Sequence, residues 1–324
     1  MASAETLPWT TPAWLAEAHA WIEAELARLG LGLSGPVEQP HVRPWSTVLR
    51  APTPAGPVWL KANMPALAHE AAVLQVLARR RPDAVPRLLA VDLGRGWMLQ
   101  ADGGVRLREL LTGDPDPTRW KELLHLYAGL QIDAADDLGE LLRAGAPDRR
   151  LAVLPRQYEE LLERVDALTG GERGRLRALA PRVAGLAAEL EALGLPETIQ
   201  HDDLHTGNAF VRDGGYVVFD WGDACVSHPF FTLHVTLRGL AWERGVDEGA
   251  AELDRFRDAY LEPWTRFRPR AELIAALEPA DLLAGICRAL TWHRILSALP
   301  AGTAAEDEDA VVDRLRFLLA ALPS

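Results

Sequence analysis

The stretch "HDDLHTGN" at 201–208 puts two imidazoles and two carboxylates within five positions, followed by an amide at Asn208. Such side chains bind metals or move protons. On an extended segment His201, Asp203 and His205 alternate and project to one side, as the ligands of a metal-dependent hydrolase would. Asp220, Asp223 and His228 could complete that centre. Phosphoryl transfer makes stricter demands. It needs a carboxylate to take a hydroxyl proton, an amide oxygen five positions on for Mg²⁺, and a second carboxylate for the metal beyond a hairpin. Asp203, Asn208 and Asp220 meet these demands in order, and Asp220 opens "DWG" twelve residues after the amide. Amide and carboxylate oxygens are hard donors of the kind Mg²⁺ prefers. His201 then has a structural role.

Phosphates also need a fixed cation. Lys61 closes the strand-like "PVWLK", and only one other of the 34 basic side chains, Lys121, is a lysine. Nine residues later Glu70 shares a helical stripe with Leu74 and Leu77, an apolar face on which a lone carboxylate is costly. Pairing Glu70 with Lys61 removes that conflict.

These residues must be carried by particular elements. Trp14, Leu15, Ala18, Ile22, Leu26 and Leu29 recur at helical spacing, which predicts a helix over 12–30. Four β-type runs follow: "STVLRA", "PVWLKA", "PRLLAVD" and "WMLQ", with one helical segment, "LAHEAAVLQVLARRR", between the second and third. A flexible glycine pair, Gly103 and Gly104, marks the boundary between a lobe over 1–102 and a lobe over 103–324. The second lobe reads as helical, with breaks at "GAPDRR" and "LTGGERG". One exception is a hairpin made of "AFV" and "YVVFD" joined by "RDGG". "DLLAGICRALTWHRILSAL" and "DAVVDRLRFLLAAL" then return to helix.

From about position 37 to about 235 the chain resembles the aminoglycoside phosphotransferase (choline and homoserine kinase-like) branch of the protein-kinase fold. The resemblance rests on "HDDLHTGN" and "DWG", which are similar to that family's "HGDLHPGN" and "DWE/DFG". It implies an α+β, two-lobed fold with a small antiparallel sheet lobe carrying one helix and binding nucleotide, and a larger, mainly helical catalytic lobe. It also implies Asp203 as catalytic base, Asn208 and Asp220 as Mg²⁺ ligands, Lys61 on the α/β phosphates of ATP or GTP, and Glu70 as its partner. Leu99, Gln100, Ala101 and Asp102 become the hinge that contacts adenine through backbone groups. The sequence departs from the pattern in four places. "RPWSTVLR" stands where a glycine-rich phosphate loop belongs, which leaves Ser46 and Thr47 to offer hydroxyls or amides. Asp202 replaces a glycine, Thr206 a proline, and "SHP" at Ser227–Pro229 the usual "GDP".

A formal charge of −12 provides no basic excess to displace counterions, which argues against a nucleic-acid partner. It favours a cationic acceptor, and Asp202, His205 and Asp223 near the base are the candidate contacts to an amine-bearing alcohol, amino sugar or aminoglycoside. Trp292 and His293 could form a sugar-stacking platform, although a core tryptophan on an amphipathic helix is the simpler reading. Asp102, Asp116 and Glu122 read most simply as surface charges. Cys225 and Cys287 are too few and too far apart in sequence for a disulfide framework and read as buried thiols. The opening "MASAETLPWTTPAWLAEAHAWIEAEL" has no basic start before an apolar run, and no later stretch reaches membrane-spanning length, so a cytoplasmic protein with no membrane partner is expected. Two other readings compete: the metal-dependent hydrolase, and a catalytically silent kinase-like binding protein, the latter prompted by the missing glycine loop.

Overall fold

The computed structural model describes residues 7–113, 116–300, 303 and 305–322; the first six residues of the opening stretch lie outside them. Helix α1, Pro12–Arg28, starts where the Thr11 hydroxyl accepts the Trp14 N–H and Pro12 presets the first helical φ. Its stripe of Ala18, Ile22 and Leu26 is buried. Then come β1 Glu38–Val42, β2 Ser46–Ala51, β3 Val58–Asn63, α2 Glu70–Arg80, β4 Leu88–Asp92 and β5 Trp97–Ala101. The five strands form one sheet in the order β1-β2-β3-β5-β4, and every neighbouring pair is antiparallel. Four of them coincide with the β-type runs. β1 was not legible, because it is a mostly exposed edge strand that carries Pro40 and has no apolar alternation.

The α1 stripe packs with Leu49, Leu60, Trp97 and Leu99 on one side of the sheet. On the other, Val73, Leu74, Val76 and Leu77 of α2 join Met98 and the helical lobe in one continuous core. The Val218 N–H donates to the Ala84 carbonyl (2.9 Å), so backbone stitches the two parts together as well.

The chain crosses over at Gly103 and Gly104, and here flexibility is not the reason for glycine. A Cβ on Gly103 would lie 2.6 Å from the Phe219 ring, and one on Gly104, at φ +88°, 2.3 Å from the Val211 carbonyl. Beyond lie β6 Val105–Arg106, α3 Leu107–Leu111, α4 Thr118–Ala134, α5 Leu138–Arg143, α6 Leu154–Arg164, α7 Gly170–Ala178 and α8 Ala180–Leu193. "LTGGERG" is not a simple break. The Thr169 hydroxyl accepts the Glu172 N–H while the Glu172 carboxylate accepts the Thr169 N–H, and this reciprocal cap starts α7 through two glycines.

The remaining elements are β7 Thr198–Gln200, β8 Ala209–Arg212, β9 Gly215–Val218, β10 Cys225–Ser227, α9 Thr232–Arg244, α10 Asp254–Leu261, α11 Arg270–Ala275, α12 Leu277–Ser297 and α13 Ala310–Ala321. The expected hairpin is β8–β9, turning at Asp213 (φ 53°) and Gly214 (φ 81°). The whole is a two-lobed α+β architecture, with a small antiparallel sheet lobe and a larger, mostly helical lobe. Cys225 and Cys287, distant in sequence, are neighbours in the fold: both are free and buried, with sulfurs 3.6 Å apart. Among the described residues no helix is long and apolar enough to cross a membrane.

Candidate active site

The loop 201–208 is suspended between β7, which pairs with β10, and the β8–β9 hairpin. His201 is fully buried; its Nδ1 accepts the Asp203 N–H (3.3 Å) and its Nε2 donates to the Phe219 carbonyl (2.7 Å). Burial lowers its pKa, so the ring is a neutral brace between the loop and the residue before Asp220. With both nitrogens committed it cannot ligate a metal. In His205, Nδ1 accepts the Gly207 N–H (2.9 Å) and Nε2 lies 3.5 Å from Asp203. His228 is buried, pushed down to about 3 by that burial, and its Nδ1 accepts the Phe230 N–H. Among the described residues no group of three His, Cys, Asp or Glu side chains is placed to hold a metal, and the ring nitrogens of His201 and Nδ1 of His228 are spent on internal hydrogen bonds, which counts against the hydrolase centre.

Asp203 sits where two side-chain donors meet. Asn208 Nδ2 donates to its Oδ2 (3.2 Å) and to its carbonyl (3.0 Å), while Arg288 Nη2 donates to Oδ1 (3.2 Å). Burial would raise its pKa, but Arg288 and His205 outweigh that and hold the carboxyl well below the usual range. Because Nδ2 of Asn208 is committed to Asp203, the amide oxygen is the atom left for a cation. The Phe219 N–H donates to the Asn208 carbonyl (2.8 Å), which extends the hairpin ladder and sets Asn208 beside the start of "DWG".

Asp220 adopts a left-handed backbone (φ 64°), and its side chain is 54% exposed. Its Oδ1 accepts from Lys61 Nζ (2.5 Å), which also donates to Glu70 (2.7 Å to Oε2). Although the carboxylate is half-open to solvent, desolvation by the atoms packed around it opposes its charge; the adjacent Lys61 ammonium prevails and lowers its pKa. Glu70, fully buried, further accepts from Asn63 Nδ2 (2.6 Å) and the Trp221 N–H (2.9 Å). A lysine on the sheet, a glutamate on α2 and the "DWG" segment are thus one network. Asn208 and Asp220 present an amide and an open carboxylate, hard oxygen donors that fit Mg²⁺.

Several expected contacts are placed otherwise. The Thr47 hydroxyl donates to the His41 carbonyl (2.8 Å) and accepts from Gln39 Nε2 (2.8 Å), so it is spent inside the sheet. Ser46, 5% exposed, pairs across β3 with Asn63. Instead of a flexible loop, the β1–β2 turn is clamped: Trp9 Nε1 donates to the Arg43 carbonyl (3.0 Å). Leu99 and Gln100 lie in a strand flanked by β3 and β4, and the Ala101 N–H donates to the Arg87 carbonyl, so these hinge groups are engaged in the ladder. Asp102 is neither a bare surface charge nor a free edge; it accepts from Trp59 Nε1 (2.9 Å) and the Gly104 N–H (2.8 Å). Glu122 accepts from the Tyr216 hydroxyl (2.6 Å), and Asp116 from the Thr118 N–H (2.9 Å).

The acceptor contacts change most. Asp202, also left-handed (φ 63°) and 2% exposed, accepts from Gln200 Nε2 (2.8 Å) and Thr291 Oγ1 (2.7 Å) and faces the core rather than a ligand. Burial raises its pKa to about 6. Asp223 is paired with Arg288 (2.5 Å). The two carboxylates invoked to attract an amine are therefore occupied. Trp292 is half-buried, with the Trp45 ring edge-on at 5.8 Å and the Arg288 guanidinium 5.4 Å from its own ring, so it is neither a bare platform nor simple core. Neighbouring His293 is half-buried too. Arg288 is the residue that sequence reasoning missed. It lies 85 positions from Asp203 on an ordinary-looking helix, and no local signal separates it from the other arginines.

Solved structures share this fold. An ethanolamine kinase of Plasmodium vivax aligns with a TM-score of 0.63 at 14% identity, covering 97% of this chain and 89% of that one. A choline/ethanolamine kinase family protein from Mesorhizobium loti gives 0.63 at 18%, over 94% and 95%. A macrolide 2'-phosphotransferase from Brachybacterium faecium gives 0.59 at 18%, over 90% and 97%. At such identities the likeness speaks for the fold alone. Residues 37–271 match the model of the phosphotransferase enzyme family, and the chain belongs to that family. A glucosamine kinase of Streptacidiphilus jiangxiensis is 46% identical over 67 residues, a stretch that makes up 20% of this chain and 15% of that protein.

Proposed function

We propose that this protein transfers the γ-phosphate of ATP, or GTP, to a hydroxyl of an amino sugar or a related amine-bearing alcohol, aminoglycosides included. The observation that carries the reading is the convergence of Asp203, Asn208 and Asp220 from neighbouring loops, with Lys61 held between Glu70 and Asp220. A silent binding module would have no use for that set. The nucleotide lies between the lobe over 1–102 and the lobe over 103–324, with adenine at the chain edge just after β5. Lys61 grips the α/β phosphates. Asp203, ionised and held by Arg288 at Oδ1 and by Asn208 at Oδ2, orients the acceptor hydroxyl and takes its proton. Asn208 and Asp220 would hold Mg²⁺, which, when bound, neutralises charge on the transferred group.

The amino-sugar acceptor is supported by the local identity with a glucosamine kinase and by the long-range field of a chain with net charge −12. Asp202 and Asp223 no longer support it. His205 and Trp292 remain the nearest candidates to touch the acceptor. A cytoplasmic location would match the nucleotide co-substrate. Purified protein with Mg²⁺ and ATP or GTP, assayed for ADP or GDP release against glucosamine, other amino sugars, aminoglycosides, choline, homoserine and plain sugars, tests the proposal. Release dependent on an amine-bearing alcohol is expected. Turnover of neutral sugars alone would sink the acceptor class, and nucleotide binding with no turnover across the panel would favour the silent module.

A further inference from the structure

One guanidinium, that of Arg288, meets three carboxylates. Nη1 lies 2.5 Å from Asp223 and 3.7 Å from Asp202, and Nη2 lies 3.2 Å from Asp203. The side chain is only 8% exposed. The aspartates come from two short segments outside the strands and α-helices, the loop after β7 and the single 3-10 turn Trp221–Asp223 that carries "DWG". Arg288 comes from α12, a helix of 21 residues packed against α8 and α13, and one turn further on Thr291 of the same helix holds Asp202. A rigid element thus reaches both short segments through a single planar fork, whose donors are fixed relative to one another.

We propose that Arg288 is a positioning residue for phosphoryl transfer: it fixes the carboxylate of Asp203 and, through Asp223, holds the "DWG" turn in register with it. The proposal rests on the reading of Asp203 as the base. Arg288 holds Oδ1 while Asn208 donates to Oδ2, so the plane of the carboxylate is set from both sides. Reaction geometry tolerates little error here, since a displacement of about 1 Å costs about 100-fold in rate. Lysine at this position keeps the charge but cannot bridge Asp203 and Asp223 at once.

The test measures ADP release with Mg²⁺ and ATP, using glucosamine and, separately, water as acceptor, for wild type, Arg288→Lys, Arg288→Ala and Asp203→Asn. Expected is a fall in kcat of about 100-fold for both Arg288 variants, with KM for ATP changed by no more than about 3-fold. Arg288→Lys should melt near wild type. Millimolar guanidinium should restore turnover in Arg288→Ala and leave wild type unaffected. Wild-type kcat in Arg288→Lys overturns the proposal, as does loss in Arg288→Ala that guanidinium does not restore and that is matched by lost ATP binding and lowered melting. If Arg288→Ala does not fold, the lysine variant decides. Normal Arg288→Lys beside an inactive Asp203→Asn removes only this proposal; an active Asp203→Asn removes the underlying reading of the base and this proposal with it.

Discussion

Asp202 stands at a backbone position suited to glycine, at φ 63°, with its carboxylate enclosed at 2% exposure. Such a residue costs both backbone strain and desolvation, which Thr291, Gln200 and Arg288 offset in part. The cost depends on pH. A carboxyl whose folded value, about 6, exceeds its ordinary value of 3.8 binds its proton more tightly when folded. Its penalty is absent below about pH 4, grows as pH rises to about 6 and is complete above that, at the order of 3 kcal/mol. Asp202→Asn, which tolerates the left-handed backbone, should therefore gain stability over wild type as pH rises from 4 to 7, read from urea midpoints. A stability difference that stays flat over that range would show that the carboxyl titrates normally. The same scale explains what was legible. Asp203, Asn208 and Asp220 are joined by short, fixed spacings, and Glu70 betrayed its partner by sitting on an apolar stripe. Arg288, Thr47 and Asp102 act through contacts that no spacing encodes.

At the scale of elements, the strands and helices followed their periodicities wherever one face is buried: β2, β3, β4, β5, α1 and α2 fall on the expected runs. What failed had another cause. β1 is held by pairing and by Gln39 contacts rather than by an apolar pattern, and α7 starts on a reciprocal cap that overrides two glycines. Gly103 and Gly104 were read as a place for freedom, whereas close approach is what requires them. Gly104→Ala should cost at least about 1–2 kcal/mol from its left-handed backbone, and more because the new Cβ meets the Val211 carbonyl. The measurement is the unfolding midpoint. A variant as stable as wild type would mean that the crossover relaxes freely and does not set the spacing between β5 and the β8–β9 hairpin.

For the molecule as a whole, the site is assembled from distant parts of the chain: Lys61 from the sheet, Glu70 from α2, Asp203 and Asn208 from the loop before the hairpin, Asp220 after it and Arg288 from α12. The lobes are joined by the α2 core and by Lys61 spanning Glu70 and Asp220, which is why a resemblance carried by two short motifs extended to an entire architecture. Substrate choice was less legible, since charges that looked available to an amine are consumed internally by Arg288. The central claim is that Asp203 is the base of a phosphotransferase. Asp203→Asn, compared with wild type for ADP release and for Mg²⁺-ATP binding by calorimetry, tests it most directly. Turnover should fall by about 10²–10⁴-fold while nucleotide affinity changes only a few-fold. Turnover equal to wild type would contradict the assignment.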